Sequence, residues 1–302
     1  DVTAEEYFYW MDSCYEYMLY SYGEIESWDD MATDELSIRD YLMEDTLESV
    51  KFYHIFTTTG LEYGGVLEDS DLEEVQSYYD MYVNDYFGSE DAFKQALTDS
   101  LFISDDFFTF AHCEIPVLYY KIFNNLFDSS DYMKAAGEDE VNAYVQENII
   151  DKGYMRAAHI LIKTQDDDGE PLSDEEQAAA KTLAEELLTR LQNGEDFFTL
   201  MNEYSEDPGK DQNPDGYYFN EDSGFVQEFY DAAAALGENE MSGIVESQFG
   251  YHIILRLPIE AEDFAEEVCR NQYEDILAAW RSEAEVTYTD AYNKIDPAKI
   301  YS

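Results

Sequence analysis

The sequence predicts a mostly α-helical protein with a small α+β unit set inside it. Three observations carry this reading. Apolar residues recur at helical spacing through the first half and again near the end. The texture changes abruptly at Lys152–Gly153. From there to Pro258, short β-like runs alternate with capped helices. At 302 residues the chain is long enough for two domains, and its 45% hydrophobic and 16% aromatic content can build packed cores despite the charge.

The N-terminal helices come first. Tyr7, Met11, Cys14, Tyr15 and Met18 recur three and four residues apart, with Glu5, Glu6 and Glu16 off that stripe. Ser70 with Glu73 reads as a capping box ahead of a second stripe, Val75, Tyr78, Tyr79, Tyr82 and Tyr86, and Gly88 suits its end. Ser89 and Ser104 read as N-caps of helices carrying Phe93 and Leu97, then Phe107, Phe108 and Phe110. These aromatic stripes are read as core, since tyrosine buries its ring while its hydroxyl stays wet. After the looser stretch Asp128 to Asp131, one more helix ends near Ile150.

The compact unit opens with a strand, Met155 to Lys163, followed by the acidic loop Gln165 to Pro171. Ser173 with Glu176 caps a helix through Ala184, Leu187, Leu188 and Leu191 that closes at Asn193–Gly194. Asp196 starts a short helix through Phe197, Leu200 and Met201. Tyr217–Phe219 is read as a strand, Gly224 to Ala235 as a third helix, and Ile244–Glu246 and Tyr251–Leu257 as closing strands. Beyond Pro258 a helix carries Phe264, Val268, Ile276 and Trp280 on one face but has no large core of its own. It is expected to pack on the N-terminal helices. The expected division is therefore 1–152, 153–258 and 259–302, with the middle part an insertion.

Charge narrows the function classes. Against 70 Asp and Glu stand 16 Lys and Arg, a formal net of −54. Such a surface repels phosphate backbones and anionic lipid heads, which excludes nucleic acid as a partner. The acidity reads as a solvated face keeping an exported protein soluble, or as a loose binder of divalent cations, or as a docking surface for basic clients. Cys14, Cys113 and Cys269 lie far apart without metal spacing and are read as buried free thiols. No stretch approaches the roughly 18 apolar residues of a membrane span. Because the sequence starts at Asp1, a processed N-terminus is expected, with any export signal or lipid anchor lying outside this chain.

Only four histidines occur, and none has metal-ligand spacing. His159 lies in the first strand of the compact unit and His252 in the last, and such strands can be neighbours in a small sheet. Around them run five motifs: AHILIK at Ala158–Lys163, NGEDFFTL at Asn193–Leu200, YSEDPG at Tyr204–Gly209, FVQEF at Phe225–Phe229, and EMSGIV with FGYHII across Glu240–Ile254. In this order and spacing, over roughly 105 residues, they resemble the parvulin family of peptidyl-prolyl cis/trans isomerases. The flanking helical regions more loosely resemble the body of exported Gram-positive foldases and periplasmic parvulin chaperones.

The resemblance implies an α+β parvulin domain with a small four-stranded sheet, inserted in a mostly α-helical chaperone-like domain. It places His159 and His252 in the family's paired-histidine positions and Asp207 at an active-site position that holds Cys or Asp in different members. Phe225 and Phe229 fall on the positions lining the proline pocket, Ser247 and Phe249 on the loop feeding His252, and Met201 at the pocket's border. The chain departs from the pattern at Asn213–Tyr218, NPDGYY, where the family often has a GGDLG-like turn, so Tyr217 or Tyr218 replaces the pocket leucine; Tyr218 is carried forward. The loop Gln165–Pro171 lacks the basic residues of phosphate-reading parvulins.

What the resemblance implies is an exported, extracellular or cell-surface isomerase whose partners are unfolded polypeptides containing X–Pro bonds. No bond breaks in that reaction, so no nucleophile, cofactor or metal is called for. The alternative is a holdase chaperone whose parvulin unit is catalytically weak. The Thr164–Glu175 stretch has a calcium-loop look, but Thr164 stands where the first ligand must be Asp.

Overall fold

The computed structural model describes residues 2–166 and 168–301. It divides into two compact units, Asp1–Ala136 with Cys269–Ser302, and Gly137–Val268.

The first unit is helical. Thr3 and Ser37 accept backbone N–H bonds at the starts of the Ala4–Tyr22 and Ile38–Phe56 helices, which pack together around Trp10, Met11, Met18, Leu42 and Val50. Trp10 stacks on Tyr53 with ring centroids 3.9 Å apart. A second core gathers Val75, Val83, Phe93, Leu97, Phe108 and Val117. Ser89 and Ser104 are N-caps as read, accepting from Ala92 and Phe107. The capping box at Ser70 does not form. Helix Leu72–Met81 starts one residue later, and the Asp71 carboxylate holds its entry by accepting from the Glu68 N–H at 2.7 Å and Lys121 Nζ at 2.6 Å. A charged acceptor with two donors makes stronger bonds than a serine hydroxyl. The chain then widens into a π turn over Tyr82–Tyr86, where Val83 is the buried residue.

The last long helix, Ala265–Glu283, carries Tyr273, Leu277 and Trp280 into the helical unit's interior. Tyr273 donates to the Tyr119 carbonyl at 3.0 Å and meets its ring edge-on. Ile276 is only half-buried; Leu277, one residue on, takes the inward position. The three cysteines are buried and unbridged. Among the described residues, no helix is long and apolar enough to cross a membrane.

The second unit is built on a four-stranded antiparallel sheet. Its strands are β1 (Met155–Lys163), β2 (Tyr217–Phe219), β3 (Met241–Ser247) and β4 (Gly250–Leu257), in the order β2-β1-β4-β3. Alternation along β1 sends Ala158, Ile160 and Ile162 to one face. There they pack with Tyr251 and Ile253 against Ala184, Leu187 and Leu191 of the Asp174–Gln192 helix and Leu200 and Met201 of the Phe197–Tyr204 helix. The Ser173–Glu176 capping box forms as read. The opposite face buries Ala157 and Ile254 with Phe219 of β2 and Phe229 and Ala233 of the Gln227–Ala235 helix.

Two junctions position the site. β2 pairs with only the first three residues of β1, after a turn in which Gly216 adopts φ +95°. A Cβ at Gly216 would lie 2.9 Å from the Ala157 carbonyl oxygen, so only glycine allows β2 to enter at this distance. Further along β1, Ser205 and Glu206 take over the vacant edge. The Ser205 hydroxyl accepts from Leu161 N–H and donates to the His159 carbonyl, while Glu206 N–H donates to the Leu161 carbonyl at 2.8 Å. The next residue is Asp207.

Candidate active site

Strand register brings the two histidines together. His159 stands opposite Ile254 and His252 opposite Leu161, so the imidazoles are diagonal neighbours on the same face. Their Nδ1 atoms are 3.2 Å apart, with His159 6% and His252 2% exposed. On the far side of His252, Nε2 lies 2.7 Å from Ser247 Oγ, which also accepts from the Phe249 N–H in the β3–β4 turn. On the far side of His159, Nε2 lies 3.3 Å from Asp207 Oδ2, at ion-pair distance though poorly aligned for a hydrogen bond. Tyr217 donates its hydroxyl to the same Oδ2 at 2.5 Å.

With His252 neutral and Asp207 ionised, the tautomer of each imidazole sets which nitrogen donates along the Ser247–His252–His159 contacts, and His159 Nε2 faces the carboxylate. Burial first, and the neighbouring His159 second, push His252 down to about 4, with Asp207 pulling weakly the other way. Burial alone would raise the Asp207 carboxyl, but the neighbouring His159, the Tyr217 hydroxyl and the Gly209 N–H overcome it and hold the group below its ordinary range. Burial, then Asp207, raise the Tyr217 hydroxyl well above its usual value, so it remains a donor.

Beside this polar chain lies an aromatic cluster in which Phe219 and Phe229 are buried. Phe225 and Phe229 stack at 5.2 Å, Phe219 meets both, and the edge of Phe229 faces His159 at 5.0 Å and His252 at 5.7 Å. Tyr217 joins the two parts, with its ring 5.5 Å from Phe225 and 5.9 Å from His159. Phe225 is partly exposed, and Phe249, at the tip of the β3–β4 turn, is 39% exposed.

Residues 145–256 match a family model described as the PPIC-type PPIASE domain. That stretch is a parvulin domain. Among curated relatives, Foldase protein PrsA of Geobacillus sp. (strain WCH70) is 32% identical over 151 residues, covering 50% of this chain and 44% of its own. Chaperone SurA of Pseudomonas syringae pv. tomato is 32% identical over 135 residues, covering 42% of this chain and 30% of its own. The matched sequence thus spans less than half of either relative. A crystal structure of PrsA from Bacillus subtilis covers 87% of this chain and 96% of its own, at 19% identity and a TM-score of 0.34.

Of the residues singled out from sequence, His159, His252, Asp207, Phe225, Phe229 and Ser247 gather on this one face of the parvulin domain, and Phe249 sits on the adjoining turn. Two lie elsewhere. Met201 is buried in the core of the opposite face. Tyr218 pairs with Arg156 and shares its face; its hydroxyl donates to Asp263 at 2.7 Å and its ring packs on Phe264. Tyr217, next to it, holds the place beside Asp207. The available signal was period two: Tyr217 and Phe219 must share a face, and Phe219 is the more apolar. The loop after β1 is a tight turn in which the Asp166 carboxylate accepts from the Asp168 and Glu170 N–H groups; Asp167 lies outside the described residues.

Proposed function

We propose that the chain is a peptidyl-prolyl cis/trans isomerase of unfolded, exported polypeptides, acting outside the cell or at its surface. The observation that carries this reading is the row of polar side chains Ser247, His252, His159 and Asp207 beside the Phe225–Phe229 stack. Rotation about an X–Pro bond must cross a barrier of about 18–20 kcal/mol without breaking a bond. A site for it needs an apolar grip on the proline ring and a polar group near the carbonyl that swings.

Phe225, the partly exposed member of the stack, supplies the grip, backed by the buried Phe229, with Phe249 and Ser247 at the rim. A planar amide carries partial negative charge on its oxygen, and the twisted transition state carries less. A carboxylate beside that oxygen therefore raises the planar form more than the twisted one. Asp207 has this part, and the two histidines line the polar row beside it rather than exchanging protons with substrate. The foldase and chaperone names of the relatives support unfolded chains as the substrate class.

The test is a proline-isomerisation assay on peptides varied at the residue before proline, with Asp207→Asn as the variant. Acceleration by the wild type and its loss in the variant are expected. Absence of acceleration across the series leaves the holdase reading in its place.

A further inference from the structure

We infer that Tyr217 is a positioning residue of this site: its hydroxyl holds the Asp207 carboxylate toward His159, in a space that Gly209 leaves for it. The inference rests on the isomerase reading for its meaning, but not for its geometry.

Two donors converge on Asp207 Oδ2. The one from His159 is 3.3 Å away and poorly aligned, whereas the one from Tyr217 is 2.5 Å away. The short bond fixes where the carboxylate points, and the imidazole follows it. A charge-assisted O–H···O⁻ bond is among the stronger kinds available to a side chain.

Gly209 is the second observation. Its backbone is outside the left-handed region, so conformation alone does not demand glycine there. A Cβ built on it, however, would lie 2.3 Å from Tyr217 Oη and 3.3 Å from Cζ. Any other residue would drive the hydroxyl off Asp207. Tyr217 is held from the other side as well. Its register opposite Ala157 and the close entry at Gly216 fix its backbone, and its ring rests on Phe225 and His159. A phenylalanine would make those ring contacts equally well, so packing does not account for the hydroxyl.

Three variants of the full chain test this: Tyr217→Phe, Gly209→Ala and the two together. One readout is the pH profile of kcat/KM on a proline peptide. The other uses 15N-labelled histidine, of which there are four, and follows the His159 Nε2 resonance as the neighbouring carboxyl titrates. Losing a donor raises the carboxyl's pKa, so in Tyr217→Phe both the acid limb of the profile and the His159 step move to higher pH. The neutral-pH rate falls about tenfold, the loss expected for one hydrogen bond to a charged group. Gly209→Ala acts in the same direction. In the double variant the new methyl meets no hydroxyl, so the double is no worse than Tyr217→Phe alone.

A His159 step that stays in place in Tyr217→Phe overturns the inference, as do effects that multiply in the double variant. Should Gly209→Ala alone misfold, recovery of the fold in the double variant supports the same contact. A wild-type chain inactive on every proline peptide removes the isomerase reading, and the His159 step then still decides the part played by the hydroxyl.

Discussion

The two units use polar groups in opposite ways. In the parvulin unit, one sheet face links four polar side chains in series, from Ser247 through His252 and His159 to Asp207. In the helical unit, aromatic cores send single hydroxyls to separate partners: Tyr9 to His112, Tyr119 to Glu274, Tyr301 to Asp12. Pairs of that kind satisfy half-buried tyrosines one at a time and are independent of each other. A chain in series is not: removing any member leaves its neighbours unpaired. Separate pairs stabilise a fold, whereas a chain in series sets a geometry.

The largest expected effect separates the units outright. All four strands and the cores on both sheet faces lie within 137–268, so that fragment is expected to fold alone. Residues 1–136 without 269–302 lose Tyr273, Leu277 and Trp280 from their interior. Each loss is worth about 2–5 kcal/mol, and together they reach the 5–15 kcal/mol by which whole domains are stable. That fragment should show no cooperative thermal transition by circular dichroism. A sharp transition at the full-length temperature sinks the two-part division.

Point substitutions sharpen the contrast. Tyr273→Ala should cost about 3–5 kcal/mol of the helical unit's stability and leave peptide isomerisation unchanged. Asp207→Asn should do the reverse, lowering kcat/KM by about a hundredfold with a melting shift of a degree or two. His252→Ala touches both, because it empties a buried site and breaks the chain in the middle. Equal activity losses in the Tyr273 and Asp207 variants would erase the distinction drawn between the units.

These contrasts were unevenly legible in the sequence. His159, His252 and Asp207 stood inside motifs whose order is itself informative, so the site's polar core was readable. Tyr217 was harder to read, because β2 is three residues long and its neighbour Tyr218 is chemically identical. Only the two-residue period shared with Phe219 pointed to Tyr217, and pairing with β1 fixes it facing the histidines. Met201 shows the same limit for helices: apolar spacing marks it as buried but does not say beneath which face. At Ser70 the local pattern was sound, but Lys121, fifty residues from Asp71, outweighed it.

Acid should act through buried imidazoles and alkali through buried tyrosines, and each unit holds both kinds, led by His252 in the parvulin unit and by Tyr7, Tyr119 and Tyr273 in the helical one. His252 titrates at about 4 in the folded chain and near 6.5 when unfolded. Above pH 6.5 neither state binds a proton there, and the contribution of the neutral ring is complete. Between about 6.5 and 4 only the unfolded chain takes up the proton, so the parvulin unit loses stability as pH falls, on the order of 3 kcal/mol by pH 4. Tyrosines run the other way. Burial first raises Tyr7, Tyr119 and Tyr273, and pushes Tyr9 up to about 12. Their contribution is complete below the unfolded value near 10 and is lost as pH rises beyond it. Melting curves from pH 4 to 11 should therefore show the 137–268 fragment weakening in acid and the helical transition of the full chain weakening in alkali. A fragment whose melting temperature is flat from pH 7 to 4 rules out a neutral, buried His252.

The smallest effect expected is that of salt on catalysis, and it is informative because it is small. On the proposed reading, a neutral proline peptide rotates against Phe225, and the substrate brings no net charge to be screened. Its rate should change less than twofold from low to high ionic strength. Holding an unfolded client is a matter of surface, and the surface carries a formal −54. Attraction between separated exposed charges is screened beyond about 8–10 Å at physiological salt. A basic unfolded client should thus be protected from aggregation best at low salt, and an acidic one poorly. Exposed rings such as Tyr20 and Tyr86 leave a residual apolar contribution at high salt. Measuring isomerisation and aggregation suppression side by side, with one basic and one acidic client, separates the two. Equal protection of both clients at every salt concentration would limit the acidity to solubility. A salt-dependent isomerisation rate with the neutral peptide would instead bring the charged surface into the catalytic step, and the division of labour between pocket and surface would fail.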